Sequence, residues 1–78
     1  MIWILTQDGK KLVYCSGFEI SKNLGGRNKA AITAYRVGEN SISLVTAGLY
    51  ENEDKARDEL DRIMGFIESG GSGIYKMN

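Results

Sequence analysis

The rhythm of apolar and polar positions divides the chain into a strand-rich first part and a helical second part. Residues 2–6 (IWILT) form a short apolar run of β-branched and aromatic side chains, which predicts a strand. Asp8-Gly9 follows, the dipeptide that most favours a tight hairpin, and residues 11–15 (KLVYC) predict the returning strand. Ser16-Gly17 is expected to bulge or bend that strand before Phe18-Glu19-Ile20 continues it. A polar, glycine-bearing loop occupies residues 21–28. Residues 29–37 and 41–47 predict a third and a fourth strand around a turn at Gly38-Glu39-Asn40.

Beyond residue 50 the period lengthens. Ala56, Leu60, Ile63, Met64 and Ile67 recur at spacings of three and four and mark one face of a helix. Asn52 is a competent N-cap, and Glu53 and Asp54 put negative charge on the first turn, where the helix dipole favours it. Glu53 with Arg57, and Asp58 with Arg62, are spaced as ion pairs along the helix. The clustered carboxylates Glu53, Asp54, Asp58, Glu59 and Asp61 are expected on the outer, solvated face. Gly65 weakens a helix by about 1 kcal/mol relative to Ala, which predicts a close crossing with a strand there. Gly70-Gly71 falls where a left-handed C-cap is needed, and GIYKM at 73–77 predicts a last strand. A phosphate cradle is the other reading of these glycines, but cradles sit at helix starts, not ends. The expected fold is a single α+β domain, residues 1–78. Its four- to five-stranded, mainly antiparallel sheet (β-β-β-β-α-β) has one C-terminal helix on one face.

That sheet is apolar on both sides. Ile2 and Ile4 alternate with Trp3 and Leu5, and Ile42 and Leu44 with Val45 and Ala47. A half-exposed antiparallel sheet normally alternates apolar with polar. One helix covers one face only, so a homo-oligomer, at least a dimer, is expected to cover the other.

Composition narrows the chemistry. There is one cysteine, Cys15, and no histidine, which removes intramolecular disulfides, Cys/His metal sites and the usual nucleophile–histidine pairs. Cys15 lies in an apolar strand and reads as a small hydrophobe. No Walker pattern or dinucleotide-binding fingerprint is present. The chain is therefore expected not to be an enzyme, and no cofactor is implied. The start lacks a basic segment and its apolar run is five residues, unlike a secretory signal, so a cytoplasmic protein with no membrane partner is expected.

Charge adds a direction. Ten basic and ten acidic residues cancel, yet residues 1–50 hold six basic and three acidic groups, and residues 51–68 three basic and seven acidic. A chain of zero net charge is not expected to bind nucleic acid. A small anionic ligand remains open. Gly25, Gly26, Arg27, Asn28 and Lys29 could contact phosphate through backbone N–H groups and charge, with Arg36 beside them. Trp3 or Tyr35 could stack on a base. The same loop also reads as a plain solvated connection, and the rings as ordinary strand formers.

Three segments, MIWILTQDGKKLV, LYENEDKARDELDRI and IYKMN, resemble a family of small uncharacterised proteins of Gram-positive bacteria and their phages. Those proteins share a tryptophan-bearing first strand, a Gln-Asp hairpin, a Tyr-x-Thr-Glu-Glu-x-Ala helix entrance and a final aromatic-x-Met strand. Asn52 stands here where the family tends to have threonine, an equally good cap. The resemblance covers both ends of the chain and not residues 16–46. It implies the same fold and, through the phage connection, a viral anti-defence protein in the host cytoplasm that sequesters a nucleotide immune signal at a subunit interface. The alternative is an inhibitor or scaffold that grips a host protein through the acidic helix or a sheet edge.

Overall fold

The computed structural model describes all residues, 1–78. Its elements are β1 (Ile2–Leu5), β2 (Leu12–Cys15), β3 (Gly17–Lys22), β4 (Ala30–Val37), β5 (Ile42–Tyr50), α1 (Glu53–Glu68) and β6 (Ile74–Lys76). The class is α+β with one C-terminal helix. The strands form two three-stranded sheets, ordered β2-β1-β6 and β3-β4-β5, rather than one sheet of four or five. All pairings are antiparallel except that of β1 with β6.

Ser16 is the reason for two sheets. The sequence suggests a bulge or bend within one continuing strand; the chain does bend here, but it leaves the first sheet and enters the second. The Ser16 N–H donates to the Tyr35 carbonyl at 2.8 Å. Its Oγ donates to the same carbonyl at 3.2 Å and accepts the Val37 N–H at 3.3 Å. Gly17 follows because the ring of its cross-strand partner Tyr35 fills the space a Cβ would need.

The core lies between the sheets and the helix. Ile2, Ile4 and Cys15 come from the first sheet, Ala30, Ile32, Ala34, Ala47 and Tyr50 from the second, and Ala56 and Ile63 from α1. The alanines flanking Ile32 on the central strand β4 keep that face low, so the opposite layers can approach. Burial holds the Cys15 thiol above its usual range, as befits a core group. β5 runs three residues further than expected, past a bulge opposite Ile32 and Thr33.

Gln7 then stitches the sheets together. Its N–H donates to the Ala47 carbonyl at 2.8 Å. Its side-chain amide accepts the Leu49 N–H at 2.8 Å and donates to the Leu49 carbonyl at 3.0 Å. The adjoining turn is closed by Asp8, whose Oδ1 accepts the Lys10 N–H at 3.0 Å and the Thr6 hydroxyl at 2.7 Å. Those two bonds hold its carboxyl below the usual carboxylate range.

Both helix ends follow the sequence. Asn52 Oδ1 accepts the Lys55 N–H at 2.9 Å. At the other end the Gly71 N–H reaches the Phe66 carbonyl and the Gly70 N–H the Ile67 carbonyl, each at 3.0 Å, the paired bonds of a Schellman cap. Gly70 and Gly71 have φ of 114° and 62°, where any side chain is strained. The buried stripe differs from expectation. It runs Ala56, Glu59, Ile63, while Met64 and Ile67 are about half exposed because the stripe turns toward Phe66 instead. Glu53 does pair with Arg57, at 3.7 Å, but Arg62 takes Glu59 at 2.7 Å rather than Asp58. Gly65 is also not a crossing point, since a Cβ there would meet open space. No helix is long and apolar enough to cross a membrane.

The two kinds of glycine should respond oppositely to a methyl group. Gly65→Ala is expected to raise unfolding stability by about 0.5–1 kcal/mol through helix propensity alone. Gly71→Ala should lower it by about 1–2 kcal/mol, the cost of a left-handed alanine. Urea denaturation followed by circular dichroism checks both, and equal effects at the two sites would refute the assignment of the cap.

Candidate functional site

Two of the expected ligand residues meet in a cleft of about 390 Å³ where the sheets splay apart. Trp3, Leu12, Val13 and Tyr14 line it from the first sheet, and Ala34, Arg36, Ser43 and Val45 from the second. Trp3 and Tyr14 are cross-strand partners whose rings lie 4.7 Å apart at 34°. They form a rigid aromatic wall, and Trp3 remains 44% exposed. Arg36 is exposed, opposite Ser43 in the β4–β5 register. The chain's two ion pairs are both on α1, so no carboxylate occupies the Arg36 guanidinium. An unpaired guanidinium beside aromatic faces and an apolar floor suits a flat anion.

The other expected residues lie elsewhere. Tyr35 points to the opposite face of β4 from Arg36, with its ring committed to Gly17. Lys29 precedes the first residue of β4, and Arg36 lies near its end, roughly 20 Å away at the rise of a strand. The loop at 23–29 therefore cannot share one small ligand with Arg36 inside a single chain. Arg27 and Asn28 border a separate shallow hollow with Glu51. Gly25 and Gly26, at φ of 92° and 72°, shape the loop. Within it the Lys29 Nζ donates to the Gly26 carbonyl at 3.1 Å, and Asn23 Nδ2 donates to the Asn28 carbonyl at 2.8 Å.

The largest hollow, about 690 Å³, runs from this loop to the start of α1, past Lys22, Leu24 and Lys29. It is the weaker site for an anion. Glu53 stands on its rim, and the Asn52 side chain already takes the Lys55 N–H of the helix's first turn. No aromatic ring lines it. No three of the chain's Cys, Asp and Glu side chains converge where they could hold a metal ion.

One polar centre was not foreseen. Glu59, expected on the solvated face, is fully buried and accepts bonds from three residues. Arg62 Nε donates at 2.7 Å, the Tyr75 hydroxyl at 3.0 Å and the Asn78 N–H at 2.7 Å, with Asn78 Nδ2 adding a further bond at 3.2 Å. The Asn78 carbonyl in turn accepts the Tyr50 hydroxyl and the Gln7 amide, each at 3.0 Å. The signal was present in the spacing. Glu59 falls on the Ala56, Ile63, Phe66 line, three and four residues from its neighbours. The carboxylate is fully satisfied and ties α1 to the last strand and to Asn78. Its field and burial act on the tyrosines. Burial, then the Glu59 charge, pushes the Tyr50 hydroxyl far above its ordinary range. Burial, then the bond to Glu59, raises Tyr75 as well.

Compared with protein-family models, with curated proteins and with solved structures, the chain finds no match.

Glu59→Ala would leave several buried donors without an acceptor, each costing about 1–3 kcal/mol. A loss of about 3–5 kcal/mol is expected by urea denaturation, and a loss under about 1 kcal/mol would mean the carboxylate is solvated. Alkali tests the tyrosines. A hydroxyl whose pKa is raised by folding contributes stability that is complete below its unfolded value, about 10, and is lost as pH rises beyond it. The urea midpoint should hold to about pH 10 and then fall. Tyr75→Phe should make that fall shallower, and an unchanged slope would sink the assignment.

Proposed function

We propose that this chain is a non-catalytic binding module that captures a small, flat, anionic ligand, with a nucleotide as the leading chemical class. The observation that carries the reading is the meeting of the Trp3–Tyr14 ring pair with the unpaired Arg36 in one cleft. A base stacks on exposed aromatic faces with a sequence-tolerant gain of about 1–3 kcal/mol, and a phosphate takes a planar, two-pronged bond from a guanidinium. Leu12, Val13 and Val45 give the rest of the cleft an apolar lining. The lone thiol is buried in the core and the one buried carboxylate is fully engaged, which supports capture rather than turnover. Sequestration by a homo-oligomer of phage origin, as the family resemblance implies, is the biological form of this proposal.

Isothermal titration against cyclic dinucleotides and ADP-ribose derivatives tests it. Arg36→Ala should weaken binding by about 10- to 100-fold, the loss of one charge-assisted bond. Trp3→Ala should weaken it comparably, and added salt should weaken the wild type. Arg27→Ala combined with Lys29→Ala should leave affinity nearly unchanged. If that double variant alone lost binding, the ligand would belong to the loop and not to the cleft.

A further inference from the structure

The second sheet ends on β5, and half of that edge is uncovered. Gln7 bonds to the edge at Ala47 and Leu49. From Ile42 to Thr46 no strand or side chain pairs with it, because β5 is the last strand in its sheet. Natural edges are normally guarded by lysine, proline or a bulge aimed outward. Here no charged residue and no proline occurs anywhere from Ser41 to Tyr50. The opposite edge strand, β3, carries Glu19 and Lys22, and β6 carries Lys76. Ile42 and Leu44 are each 64% exposed, and Val37, paired with Ile42, is 59% exposed on the same face.

We propose that β5 pairs antiparallel with β5 of a second copy about a twofold axis near Leu44, joining two three-stranded sheets into one of six. A twofold contact sets every residue against its own surroundings, so any charge on the paired segment would meet its like. Segment 41–50 is a long uncharged edge that avoids this, whereas the other uncharged edge, β2, has only four residues and follows Lys10 and Lys11 directly. The acidic helix packs on the other face of the sheet, against the side that carries Ile32 and Tyr50, and so lies away from the paired Ile42 and Leu44.

The pairing has a consequence for the cleft, and this part alone rests on the ligand reading above. Ser43 and Val45 face the cleft from β5. With Leu44 on the axis, Ser43 of one copy lies beside Val45 of the other on that same face. The two clefts then open on one surface that carries both Arg36 side chains, with four strands spacing their backbones by roughly 14 Å. Such a surface selects a ligand with two separated anionic groups over one with a single group.

Light scattering at micromolar concentration should give twice the 8.6 kDa chain mass. Leu44→Lys places two ammonium groups on the axis and should give a monomer with an unchanged circular dichroism spectrum, since Leu44 is exposed within one chain. Ile74→Lys, on the other sheet, should remain dimeric. A monomeric wild type, a dimeric Leu44→Lys variant or a monomeric Ile74→Lys variant would each overturn the pairing. A cyclic dinucleotide and the corresponding mononucleotide then probe the shared cleft. The Leu44→Lys monomer should bind the dinucleotide about 10-fold more weakly, since one guanidinium is lost despite the added positive charge. Undiminished affinity in that monomer would refute the shared cleft, and a dimer that binds neither probe would refute the ligand reading while leaving the pairing intact.

Discussion

The buried carboxylate of Glu59 holds the fold together at its weakest point. β6 has three residues and joins the first sheet through β1 alone. So short a strand has little ladder of its own. Glu59 anchors it from the helix through Tyr75 and Asn78, and Asn78 passes the connection to Tyr50 of the second sheet and to Gln7 of the hairpin. Helix, both sheets and the final strand thus share one charge. A carboxylate without water is tolerable only when its lone pairs are filled, and here donors fill them from three residues. The ionised form is compensated by a half-exposed arginine, so the site balances burial against one contact to solvent.

The local grammar of the chain was legible in its residues. The Asp-Gly turn, the Asn52 cap and the glycine pair after the helix each rest on chemistry within a few residues, and each stands where the pattern placed it. What escaped was set by contacts distant in sequence. Whether Ser16 bulges one strand or moves the chain to another sheet depends on the backbone of β4, some twenty residues further on. Glu59 looked like one more member of an acidic run because periodicity sorts residues by polarity. A polar residue on the apolar line is then read as noise unless its partners are known, and these lie at the far end of the chain.

The candidate site divides along the same line. Trp3 and Arg36 were named for their chemistry, and the fold does bring them to one cleft. Tyr35 was named for the same reason, but strand alternation turns it away from its neighbour Arg36, and its ring is spent on covering Gly17. The 23–29 loop drew attention by composition, yet Lys29 and Asn23 are spent on the loop's own carbonyls. Val45 carries no functional signature in sequence, and Tyr14 is only one of several rings near cations. They become cleft walls only because a cross-strand register and the splay of two sheets put them there.

The parallel pairing of β1 with β6 joins the two ends of the sequence, Trp3 beside Ile74 and Leu5 beside Lys76. The hairpin of β4 and β5 can form early, since its contacts are close in sequence. Closing the whole chain into one loop carries an entropy cost that no local contact offsets in advance. Folds rich in pairings between remote segments fold more slowly than those built from local contacts. The β1–β2 hairpin is as local as that of β4 and β5, so the parallel addition of β6 is the step that waits, and until β6 arrives the outer edge of β1 is open. On the ribosome, the residues of β1 wait for their parallel partner until residues 74–76 have been made.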